Sequence, residues 1–246
     1  MQIDWARFCE DYDVAVACLS RDRADVLAKD TDRLIGGYHL FHCGDGYGEH
    51  EYRGCIARQA VPPGLAGLSA VRNYVLRQLD QRIVVFVDDD FKRIGYTHAA
   101  DYAYLGPIEM QLVIINLVVN ALDVGANVFG ISEFDIRTAS PLNPFRFRAV
   151  VGGLIGVIGR GLWFDERNKL KVDYDFCLQA MSRDRVILKD HRYWLNQDRN
   201  ILPGGNMRFR TREREEAEIE NLVKWWGSDV IGVTRKKKVI GLSVRV

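Results

Sequence analysis

With 246 residues, 48% of them apolar and 27% charged, the chain can fill a sizeable core, which excludes disorder as its default state. The formal net charge is only +1, yet residues 182–246 hold 15 Lys and Arg against 9 Asp and Glu, an asymmetry that favours a polyanionic ligand near the C-terminal part. Five cysteines without a CxxC pair and an acidic start, MQIDWARFCEDYD, fit a reducing, cytoplasmic setting better than a secreted disulfide framework.

In chain order, DVAVACLS (13–20) predicts a buried strand and RDRADVLAKDT (21–31) a short helix. YHLF (38–41) predicts a second strand, released into the glycine-rich loop HCGDGYGEHEY (42–52). Leu68, Val71, Val75, Leu76 and Leu79 then recur at helical spacing, and RIVVFVDDD (82–90) reads as a third strand. This alternation predicts an α/β fold with a doubly wound, mainly parallel central sheet flanked by helices, with ligands at the carboxyl ends of the strands. A helix follows from Pro107 to about Val124. The apolar window 110–131 is interrupted by Asn116, Asn120, Asp123, Gly125 and Asn127, so a soluble core segment is expected there rather than a membrane span. ANVFGIS (126–132) and AVVGGLIGVIG (149–159) read as sheet elements, VDYDFCLQAMSR (172–183) as a helix and RVILKD (185–190) as a strand. A glycine-rich loop, a strongly charged helix ending at Trp226 and a final strand, KKKVIGLSVRV, complete a chain in which no linker separates two domains. A single domain over 1–246 is expected, with a nucleotide-binding half over 1–100 and an acceptor half with the basic segment over 101–246.

The chemistry concentrates where the third strand ends. Three adjacent carboxylates repel one another unless hydrated or matched by cations. On an extended segment Asp88 and Asp90 point the same way, and their hard oxygens suit Mg²⁺ or Mn²⁺; a solvated acidic turn is the alternative. Asp89 then faces away, toward a backbone or basic partner. A second pair, Asp173 and Asp175, stands at a helix start, where the helix dipole favours negative charge. Arg72 and Asn73 lie on the helix before the third strand, His191 follows VILKD, and Arg208, Arg210 and Arg212 alternate after Gly204 and Gly205. His39, His42, Cys43, His50 and Cys55 cluster in sequence but lack a paired zinc spacing, and GGLIG (152–156) forms no nucleotide-binding glycine motif.

From about Asp13 to Arg214, the order of GLSAVRN, VDDD, GRG and VDYDFCLQAM resembles the inverting family-2-like glycosyltransferases of the GT-A fold. The resemblance implies that Asp88 and Asp90 hold a Mn²⁺ or Mg²⁺ ion on the diphosphate of a nucleotide-sugar, a UDP-sugar such as UDP-glucose, with His191 as a third metal ligand. It implies Asp173 as the catalytic base, although Val172 replaces the family's Glu and leaves Asp175 as the other candidate. Asp45 and Arg72 fall where the nucleotide is bound, and Arg208 and Arg210 where cations meet the diphosphate. More narrowly, RIVVFVDDDF, VILKDHRYW and GGN resemble the TET-associated glycosyltransferases of bacteriophages, which implies a DNA acceptor carrying 5-hydroxymethylpyrimidine and a host-cytoplasmic location. A glycosyltransferase acting on a protein or glycan, a sugar-nucleotide-forming nucleotidyltransferase and a catalytically silent nucleic-acid-binding module are the rival expectations. The nucleotidyltransferase would need a glycine-rich phosphate loop that LSRDRADVLAKD lacks.

Overall fold

The structure, a computed structural model, describes residues 4–98, 101–132, 143–197, 205, 210–236 and 239–245. A first helix, α1 (Trp5–Asp11), leads into β1 (Val14–Arg21), α2 (Ala24–Lys29), β2 (Tyr38–Cys43) and β3 (Cys55–Ala60). Then come α3 (Leu68–Gln78), β4 (Ile83–Asp88), β5 (Phe91–His98), β6 (Asp101–Tyr104), α4 (Pro107–Asp123) and β7 (Val128–Ser132). The chain continues through β8 (Phe145–Arg146), β9 (Leu154–Ile158), α5 (Val172–Asp184), β10 (Leu188–Gln197) and α6 (Arg212–Trp226), and ends in β11 (Ile231–Lys236) and β12 (Val239–Val244).

Ten strands form one sheet in the order β3-β2-β1-β4-β9-β7-β10-β5-β6, with β8 also on β10, while β11 and β12 make a separate antiparallel hairpin. The first four positions are parallel, as the alternation of strands and helices requires. Beyond them β9 runs antiparallel between β4 and β7, and β5 antiparallel to β10. Most strands therefore point one way, with β5, β8 and β9 reversed. The sheet crosses from residues 1–100 into residues 101–246 without a break.

Because β1 and β4 are covered on both faces, their side chains serve two cores alternately. Val14, Val16 and Cys18 pack with Val85, Val87 and the α4 face of Met110, Ile114 and Leu117. Ala15, Ala17 and Leu19 pack with Val84, Phe86, the α3 face of Val71 and Val75, and Phe176 of α5. Full burial of one such Leu or Phe contributes about 1.5–3 kcal/mol. The α4 window is thus a core helix, and no helix among the described residues is long and apolar enough to cross a membrane. All five cysteines are free thiols.

Two elements depart from expectation. β3 falls in a stretch without an apolar run, because it sits at the sheet edge with most side chains exposed and its pairing comes from β2. RVILKD continues to Gln197, since β10 changes partner from β7 to β5 after a register shift between Asp190 and Trp194.

Candidate active site

The three carboxylates end β4 and turn the chain into β5. Asp89 is 4% exposed: Ser20 Oγ donates to its Oδ2 at 2.6 Å, and the Arg23 guanidinium reaches its Oδ1 at 3.2 Å. Ser20 also shares a 2.7 Å hydrogen bond with the Tyr47 hydroxyl, which accepts from the Arg23 backbone N–H at 3.1 Å. The basic partner expected for Asp89 is therefore Arg23, supplied by the chain leaving β1. Burial pushes the Asp89 carboxyl up to about 6, against the pull of Ser20 and Arg23.

β4 ends at Asp88, and Asp89 and Asp90 form the turn, so strand alternation does not turn Asp89 away as expected; Asp88 and Asp90 nevertheless share one partner. The Gln197 side-chain amide donates to Asp88 Oδ2 at 3.0 Å and to Asp90 Oδ1 at 3.1 Å. Arg23 also lies 3.4 Å from Asp90 Oδ2. Burial and then the Asp88 and Asp89 charges raise the Asp90 carboxyl pKa. The turn itself is pinned by Thr31, whose hydroxyl donates to the Asp88 carbonyl at 2.8 Å and accepts from the Phe91 N–H at 2.9 Å.

Asp173 stands in the first turn of α5, and its position is set from α3. Ser69 Oγ donates to the Asn168 carbonyl at 2.7 Å. The Asn73 amide donates to the Phe164 carbonyl and to Glu166, and accepts from the Phe164 N–H, each at 2.9 Å. Arg72, 1% exposed, donates to Asp173 Oδ1 at 2.6 Å. Its guanidinium lies over the Phe86 and Phe164 rings, 5.7 and 5.1 Å from their centroids, contacts that stabilise a desolvated cation. The polar residues of GLSAVRN thus hold the segment 164–173 against the sheet. Arg160 holds the other end of α3, donating to the carbonyls of Leu76 and Leu79, which a helix C-terminus leaves without intrahelical partners, and to that of Gln81 just beyond.

A cavity of about 1060 Å³ lies over the carboxyl ends of β1 and β4. Asp88, Asp89, Asp90 and Asp173 open onto it, as do His191 and Arg210. Asp175 does not: it is buried, accepts from Trp226 Nε1 at 2.9 Å and Gln179 at 2.8 Å, and ties α5 to α6. Burial raises its pKa. Of the two acids left open by the sequence, the cavity receives Asp173.

The other expected residues are placed differently. Arg72 is absent from the cavity wall because its guanidinium is committed to Asp173, so the geometry gives it a positioning place rather than one on a nucleotide base. Asp45 is exposed on the loop after β2 and does not line the cavity either. Among the described residues no three His, Cys, Asp or Glu side chains converge as a metal-binding group, so His191 shares the cavity with Asp88 and Asp90 without completing a ligand triad. His50, from the sequence cluster considered for zinc, faces Asp25 at 2.9 Å. Arg210 lies 3.6 Å from Glu215, which also pairs with Lys171. Arg208 lies outside the described residues.

Sequence reasoning missed Arg23, Gln197, Arg146 and Arg148 at this site. Arg23 carried a usable signal: it follows β1, and in a 3-2-1-4 sheet the chain leaving β1 meets the end of β4. Gln197 carried none, because its place depends on the register shift in β10.

The sequence matches no known protein family and no curated protein. Among solved structures, it is similar to glucosyl-3-phosphoglycerate synthase from Mycobacterium tuberculosis in complex with Mg²⁺ and UDP, over 100% of this chain and 92% of that one. That match has a TM-score of 0.49 and 11% identity. It is also similar to S. aureus TarS 1–349, over 73% of this chain and 60% of that one (TM-score 0.47, 12% identity). For TarS 1–349 in complex with UDP-GlcNAc, the coverage is 85% and 66% (TM-score 0.46, 14% identity). The chain thus spans less than two thirds of the TarS 1–349 structures it matches.

Proposed function

We propose that this chain is a metal-dependent glycosyltransferase of the GT-A type, a hexosyltransferase moving a sugar from a UDP-sugar to a hydroxyl. The observation that supports this most is that Asp173 and the Asp88–Asp90 turn, far apart in sequence, open into one cavity at the carboxyl ends of β1 and β4. An acid and a cation-binding turn on one space are what transfer to a hydroxyl requires.

The donor set at the turn fits Mn²⁺ or Mg²⁺: one oxygen each of Asp88 and Asp90 already converges on a single amide nitrogen, and hard oxygens suit a hard cation. When bound there, the ion supplies positive charge that offsets a departing nucleoside diphosphate. Arg23 and Thr31 keep the turn in place. Arg72 engages Asp173 Oδ1, and the carboxylate, which lines the cavity, accepts the proton of an attacking hydroxyl in this reading. His191, Arg210 and, by resemblance, Arg208 and Asp45 complete the proposed donor site. The acceptor we propose is 5-hydroxymethylpyrimidine in DNA, handled in the host cytoplasm. The sequence resemblance and the C-terminal excess of Arg and Lys support it, since neutralised phosphates give DNA affinity.

The test is a donor and acceptor screen with Mn²⁺ or Mg²⁺, hydroxymethylcytosine DNA included, read as mass gain. Asp90→Ala is expected to weaken metal-dependent donor binding. Asp173→Asn is expected to keep donor binding and lower transfer by about 10²–10⁴-fold. Normal transfer by both variants sinks the assignment, and DNA binding that survives both without any donor turnover favours a silent nucleic-acid-binding module.

A further inference from the structure

One side chain of β10 meets both outer carboxylates of the acidic turn. The Gln197 amide nitrogen stands 3.0 Å from Asp88 Oδ2 and 3.1 Å from Asp90 Oδ1, and Gln197 lines the same cavity as both acids. Its place is built by the backbone: the pairing of β10 with β5 shifts register between Asn196 and Gln197, and such irregularities beside a site re-aim a side chain. Arg23 reaches Asp90 through the other oxygen, Oδ2, at 3.4 Å, which leaves Oδ1 to the amide. Both hydrogen bonds of the Gln197 side chain among the described residues run through Nε2, so turning the amide end for end gives up no bond at Oε1. A glycine leaves room for that turn: a Cβ at Gly153 would lie 3.3 Å from Gln197 Oε1 and 3.4 Å from Nε2, tighter than ordinary van der Waals contact.

The two ends of a primary amide are alike in shape and opposite in sense, the nitrogen donating and the oxygen accepting. Facing two carboxylates, the nitrogen is attracted; with a divalent cation between them, the oxygen is. Mg²⁺ holds oxygen ligands at about 2.0–2.1 Å in an octahedron, which sets neighbouring ligand atoms about 2.9–3.0 Å apart. The edge of that octahedron and the length of a hydrogen bond coincide. Gln197 Nε2 already stands at such a separation from one oxygen of each acid, so Oε1 in its place shares an octahedral face with them without a shift of either strand. An amide oxygen is a hard donor like the carboxylates. Being neutral, it adds a ligand without a third negative charge to repel a diphosphate.

We propose that Gln197 is a third protein ligand of the divalent ion, its amide turned so that Oε1 joins one oxygen each of Asp88 and Asp90, and that through Nε2 it holds the two acids together whenever the ion leaves. This rests on the metal-dependent reading above. It completes with an amide the set that no third His, Cys, Asp or Glu completes among the described residues.

The test is Mn²⁺ binding, read from the loss of the free-ion electron paramagnetic resonance signal with and without UDP, alongside melting temperatures in chelator and in excess Mn²⁺. Gln197→Met keeps the length of the side chain and removes both ends of the amide. It is expected to weaken Mn²⁺ binding by at least about tenfold, the smallest loss usual when a group supporting a metal site is removed, and to melt lower in chelator because the acids repel one another unrelieved. Gln197→Glu keeps an oxygen and loses the donor. It is expected to bind Mn²⁺ at least as tightly as the unaltered chain, to melt lower in chelator and to regain the difference in excess Mn²⁺. Unchanged or tighter Mn²⁺ binding by Gln197→Met overturns the proposal, because an amide that only clamps the acids competes with the ion. Equal weakening by Gln197→Met and Gln197→Glu overturns it as well, since the retained oxygen then counts for nothing. Asp90→Ala marks the ion itself: if it binds Mn²⁺ as the unaltered chain does, or if the unaltered chain binds none, the metal-dependent reading falls, a result distinct from Mn²⁺ binding at the turn that does not need Gln197.

Discussion

Removing the Asp173 carboxylate leaves a full positive charge stranded. Arg72 is 1% exposed, its charge is met by Asp173 at 2.6 Å, and its remaining surroundings are the Phe86 and Phe164 rings. Breaking a buried ion pair by deleting one partner costs about 3–5 kcal/mol. The Asp173 side chain is 32% exposed, so water recovers part of that, and Asp173→Asn is expected to destabilise by about 2–3 kcal/mol. For a chain of this size that lowers the melting temperature by roughly 5–10 °C. Replacing both groups removes the stranded charge: Arg72→Met places a thioether between the two rings, and Arg72→Met/Asp173→Asn is expected within about 1 kcal/mol of the unaltered chain. Urea unfolding of the four proteins closes the cycle. If Asp173→Asn is as stable as the parent, or the double variant is no more stable than Asp173→Asn, the pair does not hold α5 as described. The same experiment sets the temperature at which Asp173→Asn can be assayed as a folded protein.

Two further expectations concern the frame of the site. In chelator, the chain is expected to lose stability as pH rises from about 4 through about 6. Burial raises the Asp89 carboxyl to about 6 in the folded chain, so over that window the folded state keeps a proton that the unfolded state has released. The contribution is fully present below the unfolded value, amounts to about 3 kcal/mol for this group, and is read from melting temperatures across pH; an Asp89→Asn variant with the same pH profile as its parent contradicts it. Asn73→Ala removes three hydrogen bonds from a buried amide and is expected to cost about 2–3 kcal/mol; a loss below about 0.5 kcal/mol in denaturant unfolding would mean that the Asn73 amide does not hold segment 164–168.

Much of the frame was legible because it obeys local rules. The strands at 14–21, 38–43 and 83–88 announced themselves by apolar runs ending in polar turns, α3 by helical spacing and α4 by the proline that opens it. β3 was not legible, since an exposed edge strand has no apolar pattern, and neither was the reversed direction of β9, which depends on what lies on either side of it. At the candidate site, Asp88 and Asp90 could be singled out as carboxylates crowded at a strand end, with a solvated acidic turn as the alternative, whereas Asp173 was singled out by the family resemblance, since carboxylates are ordinary at a helix start. Arg72 could be picked out but not placed. Its sequence context says only that it sits on α3, whereas its partner lies more than ninety residues further along the chain.

The grip of Ser69, Arg72 and Asn73 on the segment before α5 bears on how such a protein can move. α3 belongs to the first hundred residues and its partners Phe164, Glu166, Asn168 and Asp173 to the second half, so a hinge that parted the halves would break every one of those bonds and strand the Arg72 charge as well. The continuous sheet forbids the same motion from below. Any opening over the cavity is therefore expected in loops and in the C-terminal hairpin, whose Leu242, Ser243 and Val244 line it, with Asp173 and the acidic turn keeping a fixed separation.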